Sequence, residues 1–151
     1  MEIEADARLI EYVGRLSHRW SEAVIVPRVN VKHGDWQPFP KKCHANVTKW
    51  TELNPHHRAI RGWMLMDLRI AGPLFGQAPR VELLAHSVIE DEKRNLFDIT
   101  PAETPYGKPN EYPFLKHSGD DDEYGLLIDG YTISRIRIYG FTPERITYLP
   151  I

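Results

Sequence analysis

The chain has 151 residues, 42% of them apolar and 26% charged, with 19 basic and 21 acidic side chains for a net charge of −2. These values predict one globular domain spanning 1–151, large enough to bury a core without disulfides or metals. They supply no basic field for nucleic acid or anionic membrane, and a single cysteine, Cys43, excludes an internal disulfide framework.

The first twenty residues, "MEIEADARLIEYVGRLSHRW", are charged and amphipathic rather than a basic stub followed by an apolar run. They do not read as a signal peptide, and no run approaches a membrane-spanning length, so a cytoplasmic protein is expected. Over 5–20, Leu9, Ile10, Val13, Leu16 and Trp20 recur at intervals of three and four, predicting a helix with one apolar stripe. A short apolar run, "AVIVP", ends at Pro27, and "RVNVKHGDWQPFPKK" reads as loop. Helical spacing resumes from Cys43 to about Leu53, with Val47, Trp50 and Leu53 inward, and stops at Asn54-Pro55.

After the turn "NPHHRAIRG", the character changes to strands: 62–70, 80–90 and 95–100, the last two joined as a hairpin. Only local order is expected in the proline- and glycine-rich stretch 101–125, whose Asp120, Asp121 and Asp122 suit a solvated loop or a helix start. "YTISRIRIYGF" alternates and predicts a further strand. Helices first and strands after, without regular alternation, mean α+β: N-terminal helices packed on an antiparallel sheet.

Cys43 falls at or near the first turn of its helix, where unpaired backbone N–H groups and the positive end of the dipole favour thiolate. Lys41 and Lys42, just upstream, push the same way. A nucleophilic thiol also needs a base, a group to orient it, and donors for an oxyanion. His86 and Asp98 are polar residues in strands whose interiors are otherwise apolar, and each can be the other's partner. Gln37, six residues before Cys43, has an amide to offer an oxyanion. The hairpin supplies a geometric test. His86 and Asp98 share a face only if paired positions sum to an even number, which requires an odd loop and not Glu90 opposite Asn95. An odd loop is predicted, with Asn95 able to take the left-handed conformation such loops require.

The bland alternatives are a buried, inert Cys43, a core His86 bonded to a carbonyl, an Asp98 that caps a turn, and a Gln37 that is ordinary loop. His44 suits substrate contact or a solvent-facing helix position better than catalysis. Trp36 and Trp63 are candidates to line a cleft, although tryptophans at core edges are commoner.

A cysteine at a helix start, then a strand with His, then an adjacent strand with Asp resembles the papain-like superfamily, including papain-type proteases, transglutaminase-like enzymes and arylamine N-acetyltransferases. The segment "AHSVIEDEKRNLFDITP" is similar to the transglutaminase-like pattern of a histidine strand, a turn, and an Asp followed by Pro or Thr. The likeness covers about residues 37–100. It departs from the pattern at His44, where papain-type enzymes usually carry an aromatic residue, and in a histidine strand without tryptophan. The resemblance implies a papain-like or transglutaminase-like fold with Cys43 as nucleophile, His86 as general base, Asp98 as its orienter and Gln37 as oxyanion donor. It implies no cofactor.

The expected function is thiol-dependent hydrolysis or acyl transfer, as an amidase, deamidase or peptidase. The substrate would be a peptide, a protein side chain or a small amide, not nucleic acid or membrane. His44, Trp36, Trp63, Tyr112 and Phe114 are the candidate substrate contacts, and residues 101–125 are expected to border the cleft. Two alternatives belong to other classes. One is a catalytically silent interaction module presenting Tyr106, Tyr112, Phe114 and Tyr124. The other is a metal-binding protein using Cys43, His44, His56, His57, His86 or His117, although no pair has zinc-finger or HExxH spacing.

Overall fold

A computed structural model describes residues 7–102, 111–130, 133–139 and 146–150. The architecture is α+β. Helices α1 (Ala7–Ser17), α2 (Cys43–Leu53), α3 (Ala71–Leu74) and α4 (Asp121–Gly125) accompany strands β1 (Val24–Pro27), β2 (Arg58–Asp67), β3 (Arg80–Glu90), β4 (Leu96–Phe97), β5 (Glu111–Lys116), β6 (Ile133–Tyr139) and β7 (Ile146–Pro150). All pairs in the sheet are antiparallel, in the order β1-β5-β2-β3-β6-β7, with β4 on the free part of β3. No helix among the described residues is long and apolar enough to cross a membrane.

The helix over the N-terminal stripe forms, and Leu9, Tyr12, Val13 and Leu16 are its buried residues, with Tyr12 inward instead of Ile10. They pack with Trp63, Leu83, Leu115, Ile136 and Ile138 on one face of the sheet. Each such aliphatic side chain contributes about 1.5–3 kcal/mol when fully buried. Helix α2 buries Val47 and Trp50 against Ile89 and Ile99. The opposite sheet face carries a smaller cluster of Val26, Val88, Tyr112 and Phe114.

Two expectations are corrected. The strand expected at 62–70 starts at Arg58 and ends at Asp67, so it reaches back into the segment read as a turn. The stretch expected to hold only local order contributes β5, an interior strand between β1 and β2. Pro113 masked it, because proline lacks the N–H a ladder uses. The alternation of buried Tyr112, Phe114 and Leu115 in this strand still provides a face to each side of the sheet. Asp120 does start α4, accepting a hydrogen bond from the Glu123 N–H at 2.8 Å.

Two interruptions in the sheet shape the site. β6 covers β3 only at Arg80 to Leu84, and β4 covers it only at Ile89 and Glu90. On that edge, residues 85–88 have no strand partner among the described residues, and the start of α2 sits there instead. The second interruption is between β2 and β5. Their ladder runs from Gly62↔Lys116 to Met64↔Phe114 and stops where Pro113 follows. Beyond that point the strands flank a cavity. Gly62, opposite His86, is required by close packing: a Cβ there would stand 2.4 Å from the Leu115 carbonyl oxygen.

Candidate active site

The β3–β4 register pairs Ile89 with Phe97 and Glu90 with Leu96, leaving an odd, five-residue connection. Asp98 and His86 therefore share a face. The turn is closed by the Arg94 N–H donating to the Asp91 carbonyl and the Asp91 N–H to the Asn95 carbonyl, both at 3.0 Å. Its left-handed residue is Arg94, with φ 66°, and not Asn95. Asn95 instead donates its backbone N–H to the Asp91 carboxylate, which also receives Lys93 N–H.

His86 Nε2 lies 2.9 Å from Asp98 Oδ2. That bond fixes the tautomer and leaves Nδ1, the other ring nitrogen, clear of the carboxylate, and the Cys43 thiol lies close enough to His86 and His44 for both rings to act on it. Asp98 is held on every side. Its Oδ2 accepts from the Tyr112 hydroxyl at 2.8 Å and its Oδ1 from the Thr100 N–H at 2.9 Å. Its backbone bridges the end of β1, donating to the Pro27 carbonyl and accepting from Val29 N–H, both at 2.8 Å. The Arg28 guanidinium stands 3.9 Å from the same carboxylate and lies over the Tyr112 ring.

Neighbours on a strand point to opposite faces, so His86 and Ser87 project to either side of β3. The start of α2 uses both. Cys43 meets His86, while His44 Nδ1 is 2.6 Å from Ser87 Oγ. Arg61 also donates to Ser87 Oγ at 3.0 Å, so the serine hydroxyl is free to donate to His44 Nδ1 and leave the proton on Nε2. Asn46 fastens the preceding loop, accepting from Phe39 N–H at 3.0 Å and donating to the Phe39 carbonyl at 2.8 Å and to Thr100 Oγ1 at 3.0 Å.

The electrostatics favour an ion pair. Burial pushes the Cys43 thiol up, but the neighbouring His44 and His86 rings outweigh it and bring the thiol down to about 5. Burial pulls His86 down, but the bond to Asp98 and the contact with Cys43 raise it to about 9. Asp98 itself is held below the ordinary carboxyl range. Its burial works the other way and is overcome by His86, Thr100 and Tyr112. Between the two limits the pair is thiolate and imidazolium.

Cys43 and His86 open onto a cavity of about 450 Å³, also lined by Arg28, Lys41, Tyr112 and Arg135. That size suits a small ligand or one or two side chains of a larger one. Pro101, Glu111, Tyr112 and Pro113 border it, so the stretch after Asp98 does reach the cleft. Tyr106 lies outside the described residues.

The remaining sequence candidates fall elsewhere. Gln37 is exposed and absent from the cavity wall. Trp63 is fully buried, donates its Nε1–H to Tyr12 Oη at 2.8 Å, and is core. Phe114 is also fully buried and packs in the smaller apolar cluster. Trp36 is half-buried against the cluster of Val47, Trp50, Ile89 and Ile99 and is not among the residues lining the cavity. Tyr112 is at the site, but its hydroxyl is engaged by Asp98. His44 is half-buried and tied to Ser87, not solvent-facing. Arg28, Asn46, Ser87 and Thr100 were not singled out from the sequence. Among the described residues, no group of three or more His, Cys, Asp or Glu is gathered as a metal site.

Compared with protein-family models, curated proteins and solved structures, the chain matches none.

Proposed function

We propose that the protein is a thiol-dependent hydrolase or acyltransferase built on a papain-like or transglutaminase-like plan. The observation that carries this reading is the buried His86–Asp98 bond with the Cys43 thiol beside it on the wall of one cavity. A buried core histidine needs partners, but not a buried carboxylate on one nitrogen with the chain's single thiol beside the ring.

In the reaction, the Cys43 thiolate attacks the carbonyl carbon of an amide or ester, forming a C–S bond. The His86 imidazolium gives its proton to the leaving amine or alcohol as the C–N or C–O bond breaks, leaving a thioester on Cys43. Water or an amine then attacks the thioester, His86 takes its proton, and the thiolate departs. Asp98 keeps the ring oriented and its Nε2 protonated throughout. Gln37 has no part in this. The first turn of α2, with no side-chain cap on its N–H groups, is the source of donors for the oxyanion.

The test is release of p-nitrophenol from p-nitrophenyl acetate, with the acyl group located by mass spectrometry. The wild type is expected to carry one acetyl group on Cys43, and Cys43→Ser none, with an unchanged circular dichroism spectrum. Acetylation or turnover that survives Cys43→Ser contradicts the proposal.

A further inference from the structure

The cavity around Cys43 has the opposite sign to the chain. Three cations, Arg28, Lys41 and Arg135, stand among its described lining residues against a single acid, Glu111, in a protein of net charge −2. Asp98 lies beneath this wall and is already answered by His86 and Arg28.

Arg135 is the best placed of the three. It is paired across the ladder with Leu84, two residues from His86 on the same face of β3. Strand geometry then sets the Arg135 and His86 Cα atoms about 8 Å apart. The carboxylate it approaches, Glu82, is 3.9 Å away and already receives Arg80 Nε and Arg137 Nε, each at 2.9 Å. Three guanidiniums on one buried carboxylate leave positive charge over, and Arg135 is the least engaged of them, with its side chain 35% exposed.

Lys41 adds an independent sign. It holds φ 61°, a left-handed conformation that favours glycine, two positions before the thiol and on the cavity wall. Between these cations the wall is apolar, formed by Met64, Met66 and Leu84.

From this pattern we infer that the cavity selects acyl donors bearing a carboxylate a few bonds from the reacting carbonyl. Arg135 and Lys41 bind the carboxylate, and Met64, Met66 and Leu84 pack against the stem. The word donor rests on the acyl-transfer reading, but the anion site has its own measurement. Iodoacetate and iodoacetamide alkylate a thiolate by the same displacement, in which sulfur bonds to carbon as iodide leaves, and they differ by a carboxylate in place of a carboxamide.

The quantity to measure is the ratio of the iodoacetate to the iodoacetamide rate on Cys43 at about pH 7, referred to the same ratio for glutathione. At low salt it is expected to exceed the glutathione value by roughly tenfold and to collapse toward it in about 1 M NaCl. Arg135→Gln and Lys41→Gln should each lower it several-fold while leaving the iodoacetamide rate within about twofold. A ratio equal to that of glutathione, or one indifferent to both substitutions, overturns the inference. A raised and substitution-sensitive ratio in a protein that accepts no acyl group supports the anion site and removes the acyl chemistry. Failure of both reagents until urea unfolds the chain overturns both.

Discussion

Two buried histidines sit on opposite sides of this sheet and are satisfied in different ways. His117, at the junction of α1, β5 and α4, has Tyr12 Oη at 2.8 Å from Nδ1 and the Asp120 carbonyl at 3.0 Å from Nε2. Tyr12 Oη receives the Trp63 indole N–H, so its own proton goes to His117, and both ring nitrogens end on neutral groups. Burial then holds His117 below its ordinary range. His86 is equally buried, but a carboxylate stands on one nitrogen and a thiol lies beside the ring. Burial alone therefore does not set the state of a histidine, and the partner decides whether the ring is held neutral or held protonated.

The largest expected effect separates the two regions by stability. Asp98→Ala strands His86, the Tyr112 hydroxyl, the Thr100 N–H and Arg28 at once, and should cost about 3–5 kcal/mol in urea unfolding. It should also raise the thiol's alkylation inflection. Tyr12→Phe leaves the Trp63 N–H and His117 Nδ1 unpaired and should cost about 1–3 kcal/mol, with the Cys43 inflection unmoved. An inflection that shifts as much in Tyr12→Phe as in Asp98→Ala would erase the distinction.

Acid should sharpen the contrast. His117 is lowered in the folded state, so below its ordinary value of about 6.5 the unfolded chain binds a proton that the folded chain refuses, and stability falls with pH. His86 is raised to about 9, so its contribution is fully present below about 6.5 and is lost as the pH rises through about 9. Replacing His117 by Gln should therefore reduce the stability lost between about pH 7.5 and 5.5, read as urea midpoints across that range. An acid limb unchanged in that variant would mean that other groups carry it. The smallest effect is expected at Gln37, which is exposed. Gln37→Ala should alter stability by less than about 0.5 kcal/mol and leave Cys43 acylation unchanged.

Periodicity made α1, α2 and β3 legible, because an amphipathic stripe and an apolar run each repeat in sequence with the period of the element. The parity of the hairpin was legible too, since strand side chains alternate strictly. β5 was hidden by Pro113, and β7 is too short for a pattern to outweigh its context. The site divides similarly. Cys43, His86 and Asp98 stood out as chemically expensive residues in apolar or helix-start settings. Arg28, Asn46, Ser87 and Arg135 had no such mark, for surface-type residues gain meaning only when a distant strand or helix end arrives beside them. Trp63 and Phe114 misled for the converse reason. A large aromatic fits a cleft and a core equally well, and only packing chooses.

The proposed acyl chemistry requires His86 and Cys43 to act as one unit, and the alkylation rate of Cys43 by iodoacetamide as a function of pH tests that most directly. The wild type should show an inflection near 5, where burial is outweighed by the two imidazoles. In His86→Ala the inflection should move up by about two pH units, toward the free-thiol value of about 8.5. A wild-type inflection already at the free-thiol value, or one that His86→Ala does not move, would contradict the pairing.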